Sequence, residues 1–437
     1  MYRKVYNRIV CKKIKTAYAE RRSREMNNTK PLEGVHVLDL GQYISVPAAT
    51  VILASWGAEV IKVESTIGDP MRLIGSTLGM TCENDHNSFF GHYNVNKKII
   101  NLNLKDPKGM EVMQKLLAWA DVFATNWRPK ALAKNGLDYE TLHAKYPRLI
   151  WAAINGFGNY GPEKDDAGYD TVAYWSHSGM QIDQSEGGGA EGASPVIPFY
   201  GIGDNSTAST LAGAIGTGLY QREKTGEGCQ IFASLYGQAV WAAGCDLMSC
   251  QYNPHEIYPK TRTKPASPVC NSYKTKDGEW INTSIFDTKI YPKYLKAVGR
   301  EDLMDDPRFN NPDGATENRD EMFHIIEEGF AKYTYEEMSQ RLQENDVAFS
   351  KIYHVYEVVN DEQALANNMV YPVEHRDGTT TMFPAPPATF GDKPEPKVEI
   401  PYGRVGEHSA EVLTMLGYSE AEINEMLDNG VAVQWKD

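Results

Sequence analysis

The segment VHVLDLGQYISVPAATVILASWGAEVIKVES, residues 35–65, decides the fold class. Its first six residues form a short apolar run that is typical of a buried strand. The middle of the segment predicts a buried helix over 46–57, because Pro47 suits a first helical turn and Gly57 suits a helix end. The last eight residues repeat the strand pattern. A strand, a helix and a strand in this order form a βαβ unit, and its two strands are parallel.

The same alternation continues downstream of this segment. Residues 98–104, 121–127 and 148–156 have strand patterns, and residues 106–120 and 138–146 between them have helical patterns. This order predicts a doubly wound α/β domain with a Rossmann-like parallel sheet. A longer helix is expected over 204–224, with Asp204 as its N-terminal cap.

The composition changes after about residue 250, where aromatic and Pro-rich sequence gives way to acidic amphipathic helices. We therefore expect a second, smaller α+β domain. The predicted organisation is a basic tail over 1–30, disordered by its composition, and a large domain over 31–228. A linker and small domain follow over 229–345, and the chain returns to the large domain over 346–437, ending in a pair of helices over 406–427.

Charge and cysteine usage limit the partners and the compartment. The formal net charge is −14, which argues against a nucleic acid as a partner. Residues 1–25 carry a charge of +7 and lack the apolar core of a signal peptide. No apolar run approaches the roughly 20 residues of a membrane span. The six cysteines are scattered without a CxxC pair, so we predict a cytoplasmic protein with reduced thiols.

Several common site motifs are missing from the sequence. The turn after the first strand, GQYISVPAA, lacks the G-x-G-x-x-G that binds a dinucleotide. Neither a Walker loop, an HExxH or CxxC metal site, nor a G-x-S-x-G elbow is found, and we predict no metal. Residues 97–134 carry a net charge of +5, which favours either a solvated face or a binding site for phosphate groups.

Three longer stretches carry a resemblance to a known family. They are the stretch 31–72, the stretch NVNKKIINLNLKDPKG at 94–109, and the stretch 121–170, which ends in AGYD. Together with GEGCQIFASLYGQAV and GEHSAEVLTMLGY further on, they resemble the family III CoA-transferases, the group of formyl-CoA and carnitine CoA-transferases, also described as CaiB/BaiF-like. The stretch 125–149 is most similar to the branch that acts on phenyllactate and other 2-hydroxy acids in amino-acid fermentation.

The resemblance implies that an aspartate attacks the acyl-CoA thioester, and we predict that this nucleophile is Asp170. From the sequence alone, Asp170 is also interpreted as a helix cap, and the two roles are compatible because a helix N-terminus favours an anion. The expected intermediates are an aspartyl anhydride and an aspartyl-CoA thioester, which need neither ATP nor a metal. Glycines of the loop 185–195 are expected to supply backbone N–H donors.

Coenzyme A is the co-substrate that the resemblance implies, and matching positions give candidate contacts. Lys105 is expected near the CoA phosphates, and Lys134 keeps a charge where formyl-CoA transferase has an arginine. Arg72 is expected to replace an arginine contact that Ser65 lacks. The full set of predicted CoA-binding residues is Ile44, Ser45, Arg72, Leu102, Asn103, Lys105, Asn126, Trp127, Lys134 and Gly156.

Two other functions remain open at this point. α-Methylacyl-CoA racemases resemble this sequence too, but they have a histidine base where this chain has Tyr169, and they use an acid that matches Asp204. A non-catalytic acyl-CoA-binding subunit is the other alternative. The resemblance further implies acyl-CoA and carboxylic acid substrates, an interlocked homodimer, and a 2-hydroxyacyl-CoA dehydratase in the same pathway.

Overall fold

The structure is a computed structural model that describes residues 30–188, 190–252, 261–391 and 396–436. Its described residues form two compact units. The first contains residues 30–177, 199–241 and 359–436, and the second contains 178–198 and 242–358. The predicted basic tail lies outside the described residues, apart from Lys30.

A seven-stranded sheet forms the centre of the first unit. Its strands are β1 His36–Leu40, β2 Glu59–Glu64, β3 Lys97–Leu102, β4 Val122–Thr125, β5 Ile150–Asn155, β6 Gln230–Ser234 and β12 Ala432–Val433. Their order across the sheet is β12-β3-β2-β1-β4-β5-β6. Strands β1 to β6 pair in parallel, and β12 pairs antiparallel with β3. The prediction of a doubly wound parallel sheet is confirmed.

Helices cover this sheet and follow its strands in the predicted alternation. In the first half of the chain they are α1 Ser45–Ser55, α2 Met71–Thr77, α3 Ser88–Asn94, α4 Pro107–Trp119, α5 Pro129–Lys134 and α6 Tyr139–Lys145. Helix α4 begins as predicted, since the Asp106 side chain accepts from the Lys108 N–H and Pro107 occupies the first turn. Helix α1 is buried along most of its length, because β1 and β2 and the long helix α8, Ile202–Thr225, pack against it.

Strand order reverses between β1 and β4. From β1 the chain moves outward through β2 and β3, and from β4 it moves outward through β5 and β6 on the other side. The loops that follow β1 and β4 therefore leave the sheet in opposite directions from neighbouring strands. In open α/β sheets this switch point, at the carboxyl ends of the strands, forms a crevice in which ligands bind.

The second unit has its own antiparallel sheet and its own core. Its strands are β7 Ser272–Lys274, β8 Trp280–Thr283 and β9 Phe349–Lys351, and its helices are α7 Met180–Asp183, α10 Gly244–Tyr252, α11 Tyr291–Ala297, α12 Pro312–Glu317, α13 Arg319–Phe330 and α14 Tyr335–Glu344. Tyr273, Phe323 and Phe330 are buried together in its core. The expected smaller α+β unit is present.

The boundaries between the units differ from the predicted boundaries at 228 and 345. Strand β6 pairs with β5, which places residues 230–234 in the first unit. Strand β9 pairs with β8, which places residues 349–351 in the second. Both pairings join segments that are far apart in sequence, and composition alone does not reveal them.

The remaining elements complete the first unit. They are α9 Leu235–Ala242, a 3₁₀ turn at Val355–Asn360 that leads out of the second unit, α15 Glu362–Ala366, the hairpin β10 Val370–Glu374 with β11 Thr380–Pro384, α16 Ser409–Met415 and α17 Glu420–Asp428. The predicted pair of C-terminal helices is therefore present. Within the described ranges, no helix is both long enough and apolar enough to cross a membrane.

Candidate active site

Asp170 begins a short π-helix, Asp170–Ser176, that follows β5 after a loop. Two glycines fix the path of this loop. A Cβ atom on Gly156, at the end of β5, would lie 2.6 Å from the Cα atom of Gly168. The two backbones therefore touch, and only glycine at these positions allows the contact. Gly156, a predicted CoA-binding residue, thus helps to position Asp170.

The Asp170 carboxylate accepts hydrogen bonds from backbone N–H groups at the start of α8. Its Oδ2 atom is 3.1 Å from the Gly201 nitrogen, and its Oδ1 atom is 3.1 Å from the Asp204 nitrogen. The side chain is buried. Burial raises the pKa of Asp170, whereas the N–H donors of Gly201, Asp204 and Gly203 oppose this rise by stabilising the anion.

Asp170 therefore caps α8 rather than the helix that it begins. Tyr169 is the N-terminal cap of the π-helix, and Gly201, with a φ of 83°, is the N-terminal cap of α8. The prediction that Asp204 caps this helix was wrong, because Asp204 lies within its first turn. Glycines of the loop 185–195 were expected to supply N–H donors at the site. The N–H groups that bind Asp170 come from the start of α8, and the Gly188 N–H in that loop donates to the Ser185 carbonyl. Gly189 of that loop lies outside the described residues.

Gly203 leaves room for the Asp170 carboxylate. A Cβ atom on Gly203 would overlap Oδ1 of Asp170 and the ring of Tyr174. The sequence GIGD at 201–204 thus combines a left-handed turn, a close approach and three N–H groups directed at one carboxylate. Such an arrangement stabilises negative charge at a helix N-terminus.

Asp204 is a second acidic side chain beside Asp170. Burial, and then the negative charge of Asp170, raise the pKa of Asp204 to about 7. No residue in the described ranges donates a hydrogen bond to its carboxylate, so it differs from Asp170, which binds several donors. At neutral pH this half-buried carboxyl group exchanges between its protonated and anionic forms.

The turn after β1 is held by side chains from neighbouring elements. Both the N–H and the C=O of Gln42 bind the Asn126 amide, at 2.9 and 2.7 Å, and the Asn126 Nδ2 atom lies 3.4 Å from the Ser45 Oγ atom. Since Asn126 follows β4, this contact links the two loops of the switch point. The next residue, Tyr43, has a φ of 59°, which is a strained conformation for a tyrosine.

Buried charges support the same turn from below. The Asp69 carboxylate accepts the Tyr43 N–H at 3.2 Å and pairs with Lys62 at 3.0 Å, and the Lys62 ammonium donates to the Gly41 carbonyl at 2.6 Å. Lys62 and Asp69 are almost fully buried. These contacts hold the turn at Gly41 and at Tyr43. The Tyr43 ring also packs edge-on against Tyr169, the residue before Asp170.

Ile44, the next residue of the turn, lies close to the helix start that binds Asp170. Its Cδ1 atom is 3.1 Å from the position that a Cβ atom on Gly201 would take. Ile44, Ser45, Asn126 and Gly156 are therefore brought together around the switch point, where the sequence predicted them.

The other predicted CoA contacts lie outside this group. Arg72 is held by both oxygens of Glu64 at 2.9 and 3.0 Å and by the Gly403 carbonyl, and its guanidinium stacks on Phe90. The Leu102 side chain is buried in the core beneath α4, so a contact between this side chain and CoA is ruled out. Asn103 and Trp127 are half-buried, and Lys105 and Lys134 are exposed at the ends of their elements.

The basic segment 97–134 does not form one continuous cationic surface. Lys97 is fully buried and pairs with Asp39 at 3.0 Å, and burial lowers the pKa of Lys97 to about 8. Lys98, Lys108 and Lys130 pair with surface carboxylates. Fewer lysines are therefore available to bind a polyanion than the net charge of residues 97–134 suggested.

The sequence analysis missed the donors that bind Asp170, which are the backbone N–H groups of Gly201, Gly203 and Asp204. The available signal was a G-x-G-D sequence at the start of a long helix, because it places N–H groups at a helix N-terminus.

Comparison with known proteins is consistent with this geometry. The family model for CoA-transferase family III matches residues 32–409. The chain belongs to CoA-transferase family III. Among its curated relatives, (R)-2-hydroxy-4-methylpentanoate CoA-transferase of Clostridioides difficile is 36% identical over 92% of this chain and 99% of its own length. Cinnamoyl-CoA:phenyllactate CoA-transferase of Clostridium sporogenes is 35% identical over 92% of this chain and 97% of its own length.

Two solved structures have the same fold as this chain. The protein Rv3272 of Mycobacterium tuberculosis superimposes with a TM-score of 0.75 at 28% identity, over 88% of this chain and 99% of that one. A CAIB/BAIF family protein of Brucella suis gives a TM-score of 0.74 at 26% identity, over 89% and 100%. The curated relatives at 36% and 35% identity are CoA-transferases, and they decide for CoA transfer among the three functions that the sequence had left open.

Proposed function

We propose that this family III CoA-transferase moves CoA from an acyl-CoA donor to a 2-hydroxy acid whose side chain is branched or aromatic. The observation that carries this proposal is the identity of 36% and 35%, over 92% of the chain in each case, to relatives named for 2-hydroxy-4-methylpentanoate and phenyllactate. The carboxylates at the switch point of the sheet supply the chemistry that such a transfer needs.

The reaction starts with attack of an aspartate oxygen on the thioester carbonyl carbon. The C–S bond breaks, CoA leaves as a thiolate, and a mixed anhydride remains on the enzyme. The thiolate then attacks the aspartyl carbonyl, which releases the donor acid and forms an aspartyl-CoA thioester. The carboxylate of the acceptor acid attacks this thioester, which breaks its C–S bond, expels the CoA thiolate and forms a second mixed anhydride. The thiolate then attacks the acyl carbonyl of that anhydride, which forms the new acyl-CoA and restores the aspartate. Each step exchanges one acyl bond for another, and water must be excluded throughout.

Asp170, in the AGYD sequence, is the proposed attacking carboxylate. Its oxygens accept from the N–H groups of Gly201 and Asp204, and each oxygen keeps a lone pair for attack. The same N–H groups are placed to stabilise the oxyanion that forms when the aspartyl carbonyl is attacked in turn. Asp204, whose pKa burial and the charge of Asp170 raise to about 7, lies beside it and is the alternative attacker that trapping distinguishes.

The proposed CoA site lies along the carboxyl ends of the strands. Ile44, Ser45, Asn126 and Gly156 border the reacting end, where the pantetheine thiol must reach the attacking carboxylate. Asn103, Trp127, Lys105 and Lys134 follow the neighbouring strands β3 and β4, and exposed ammonium groups such as Lys105 and Lys134 suit phosphates. Arg72 is also a proposed phosphate contact, and its guanidinium is held in place by both oxygens of Glu64.

We also propose that the protein acts as a homodimer in the cytoplasm, with a 2-hydroxyacyl-CoA dehydratase using its product. Exposed apolar surface supports a dimer: Trp241 is 83% exposed, and α10 has no buried residue in the described chain. The described cysteines have free thiols, which is consistent with a reducing compartment.

A direct assay tests this function. Purified protein is mixed with one acyl-CoA and with a panel of carboxylic acids, and the new CoA thioesters are identified by liquid chromatography and mass spectrometry. Transfer to 2-hydroxy-4-methylpentanoate or phenyllactate, without a metal or ATP, supports the proposal. Failure to transfer to any 2-hydroxy acid contradicts it.

A further inference from the structure

A cavity of about 300 Å³ lies beside the start of α8, within the first unit. It is bounded by one face of α1, by the C-terminal part of α3, and by the segment that follows β11. Its lining includes Val51, Ile52, Tyr93, Asn205, Phe383 and Pro386. A volume near 300 Å³ is at the lower end of the range for small-molecule sites.

The lining of this cavity is suited to an uncharged group. None of its described lining residues is an aspartate, glutamate, lysine or arginine. Its one histidine, His92, is neutral at physiological pH, because burial lowers the His92 pKa to about 4. An ionised group would lose its hydration in this cavity without gaining a partner, whereas a hydrocarbon side chain would gain free energy on burial.

Tyr93 connects the cavity to the two carboxylates. Its side chain lines the cavity, and its hydroxyl accepts a hydrogen bond from the Asn205 amide at 3.3 Å. The same hydroxyl is 3.2 Å from the position that a Cβ atom on Gly201 would take, and Gly201 donates to Asp170. Burial, with the nearby charges of Asp204 and Asp170, raises the Tyr93 pKa to about 12, so the phenol stays protonated.

We propose that this cavity binds the hydrocarbon side chain of the carboxylic acid substrate, with the Tyr93 hydroxyl at the boundary between that side chain and the reacting carboxyl group. This inference rests on the proposed function and adds the part of the site that selects the acid. A branched or aromatic side chain of about six carbons fits in the cavity, while its carboxyl group points toward the start of α8.

A second cavity of similar size, about 310 Å³, is less suited to this role. It is bordered by Ala58 and Val60 at the beginning of β2 and by the charged residues Lys98 and Glu399. The two cavities share Ser55, Tyr371 and Pro386, so the charged lining distinguishes them. A hydrocarbon side chain would gain less free energy beside the charged groups of the second cavity.

Variants that reduce the cavity volume test the proposal. Ser206 is half-buried in the cavity wall, and its hydroxyl donates only to the Gly203 carbonyl of its own helix. We expect Ser206→Leu to lower kcat/KM for 2-hydroxy-4-methylpentanoate relative to lactate about tenfold or more, because one or two methylene groups change selectivity by about that factor. Ala48→Val reduces the volume from α1 and should shift the same ratio in the same direction.

The matched control is Thr217→Leu, an equally conservative change on the exposed face of the same helix. It should leave the selectivity ratio unchanged. If Ser206→Leu and Ala48→Val both fold, as judged by thermal unfolding, and both keep the wild-type ratio, the inference is overturned. Because wild-type transfer to any 2-hydroxy acid is measured in the same assay, failure of the proposed function is seen separately as absent activity.

Discussion

The backbone N–H of Asp204 donates to the carboxylate of Asp170 at 3.1 Å, so two acidic residues from different helices meet at one helix N-terminus. Asp170 lies 34 residues earlier in the chain, yet its oxygens replace the intrahelical partners that α8 lacks at its start. The negative charge of Asp170 in turn raises the pKa of Asp204. This one contact therefore links the start of α8 to the carboxylate of Asp170.

Replacing Asp170 should reduce stability more than replacing Asp204. Asp170→Ala leaves buried N–H groups without an acceptor, which costs roughly 1–3 kcal/mol for each group. Asp170→Ala should also lose transfer activity by several orders of magnitude, because the attacking carboxylate is gone. Asp204→Asn removes no described hydrogen bond of the side chain, so it should fold normally and keep more activity than Asp170→Ala. Thermal unfolding and initial-rate assays of both variants measure these effects. An Asp170→Ala protein that is both stable and active would contradict the assigned role.

The pH dependence of the first chemical step should follow Asp170. Because burial raises the pKa of Asp170 above its ordinary value, its anion becomes scarce at a higher pH than that of a free aspartate. We therefore expect the single-turnover rate of CoA release to rise with pH on the acidic side and to level off once Asp170 is ionised. Stopped-flow detection of the thiolate measures this rate. A rate with no decline on the acidic side, in protein that stays folded, would contradict attack by this carboxylate.

Stability should change with pH in the opposite sense. Between its ordinary pKa and about 7, the native protein holds a proton on Asp204 that the unfolded chain has released, so stability falls as the pH rises through this window. The loss is at most about 4 kcal/mol, and solvent access to the half-buried side chain reduces it. Asp204→Asn should therefore be more stable than the wild type above pH 7, as measured by denaturant unfolding at pH 5 and pH 8.

Gly203 and Gly213 lie on the same helix but should respond oppositely to alanine. In Gly203→Ala the new Cβ atom would overlap the Asp170 carboxylate and the Tyr174 ring, so both stability and activity should fall. In Gly213→Ala the new Cβ atom would meet open space, and the better helix propensity of alanine should stabilise the protein by up to about 1 kcal/mol. Equal melting temperatures for the two variants would show that the close approach at Gly203 is absent.

The buried pair of Asp39 and Lys97 gives a separate test of the fold. Asp39→Ala leaves the Lys97 ammonium without its carboxylate in a fully buried site, which should cost about 3–5 kcal/mol. The double variant Asp39→Ala with Lys97→Met removes both charges and should recover part of this loss. Urea unfolding of both variants is the measurement, and a double variant less stable than Asp39→Ala would reject the pairing.

The sequence predicted those features that depend on neighbouring residues. The strands β1 to β5 and the helices α1, α4 and α6 were located within a few residues, because apolar periodicity and cap residues such as Asp106 act locally. The short helices α2, α3 and α5 were not predicted. The family resemblance suggested Ile44, Ser45, Asn126 and Gly156 as CoA contacts, and the structure brings them together near the switch point of the sheet; their role in binding CoA stays a prediction.

Features that depend on distant pairing were not predictable in this way. Asp204 was interpreted as a helix cap because an acidic residue before an apparent helix usually is one, whereas the cap is Gly201 and the acceptor is Asp170. Lys97 was counted as a surface charge because its partner Asp39 lies 58 residues away. The limits of the second unit depend on strand pairings that composition does not encode.

Trapping of the enzyme-bound intermediate tests the central claim most directly. The protein is incubated with an acyl-CoA, treated with hydroxylamine, and digested for peptide mapping by mass spectrometry, with Asp170→Asn as the control. The account predicts a hydroxamate on Asp170 that the control lacks. A hydroxamate on Asp204, or no modified aspartate during active turnover, would contradict it.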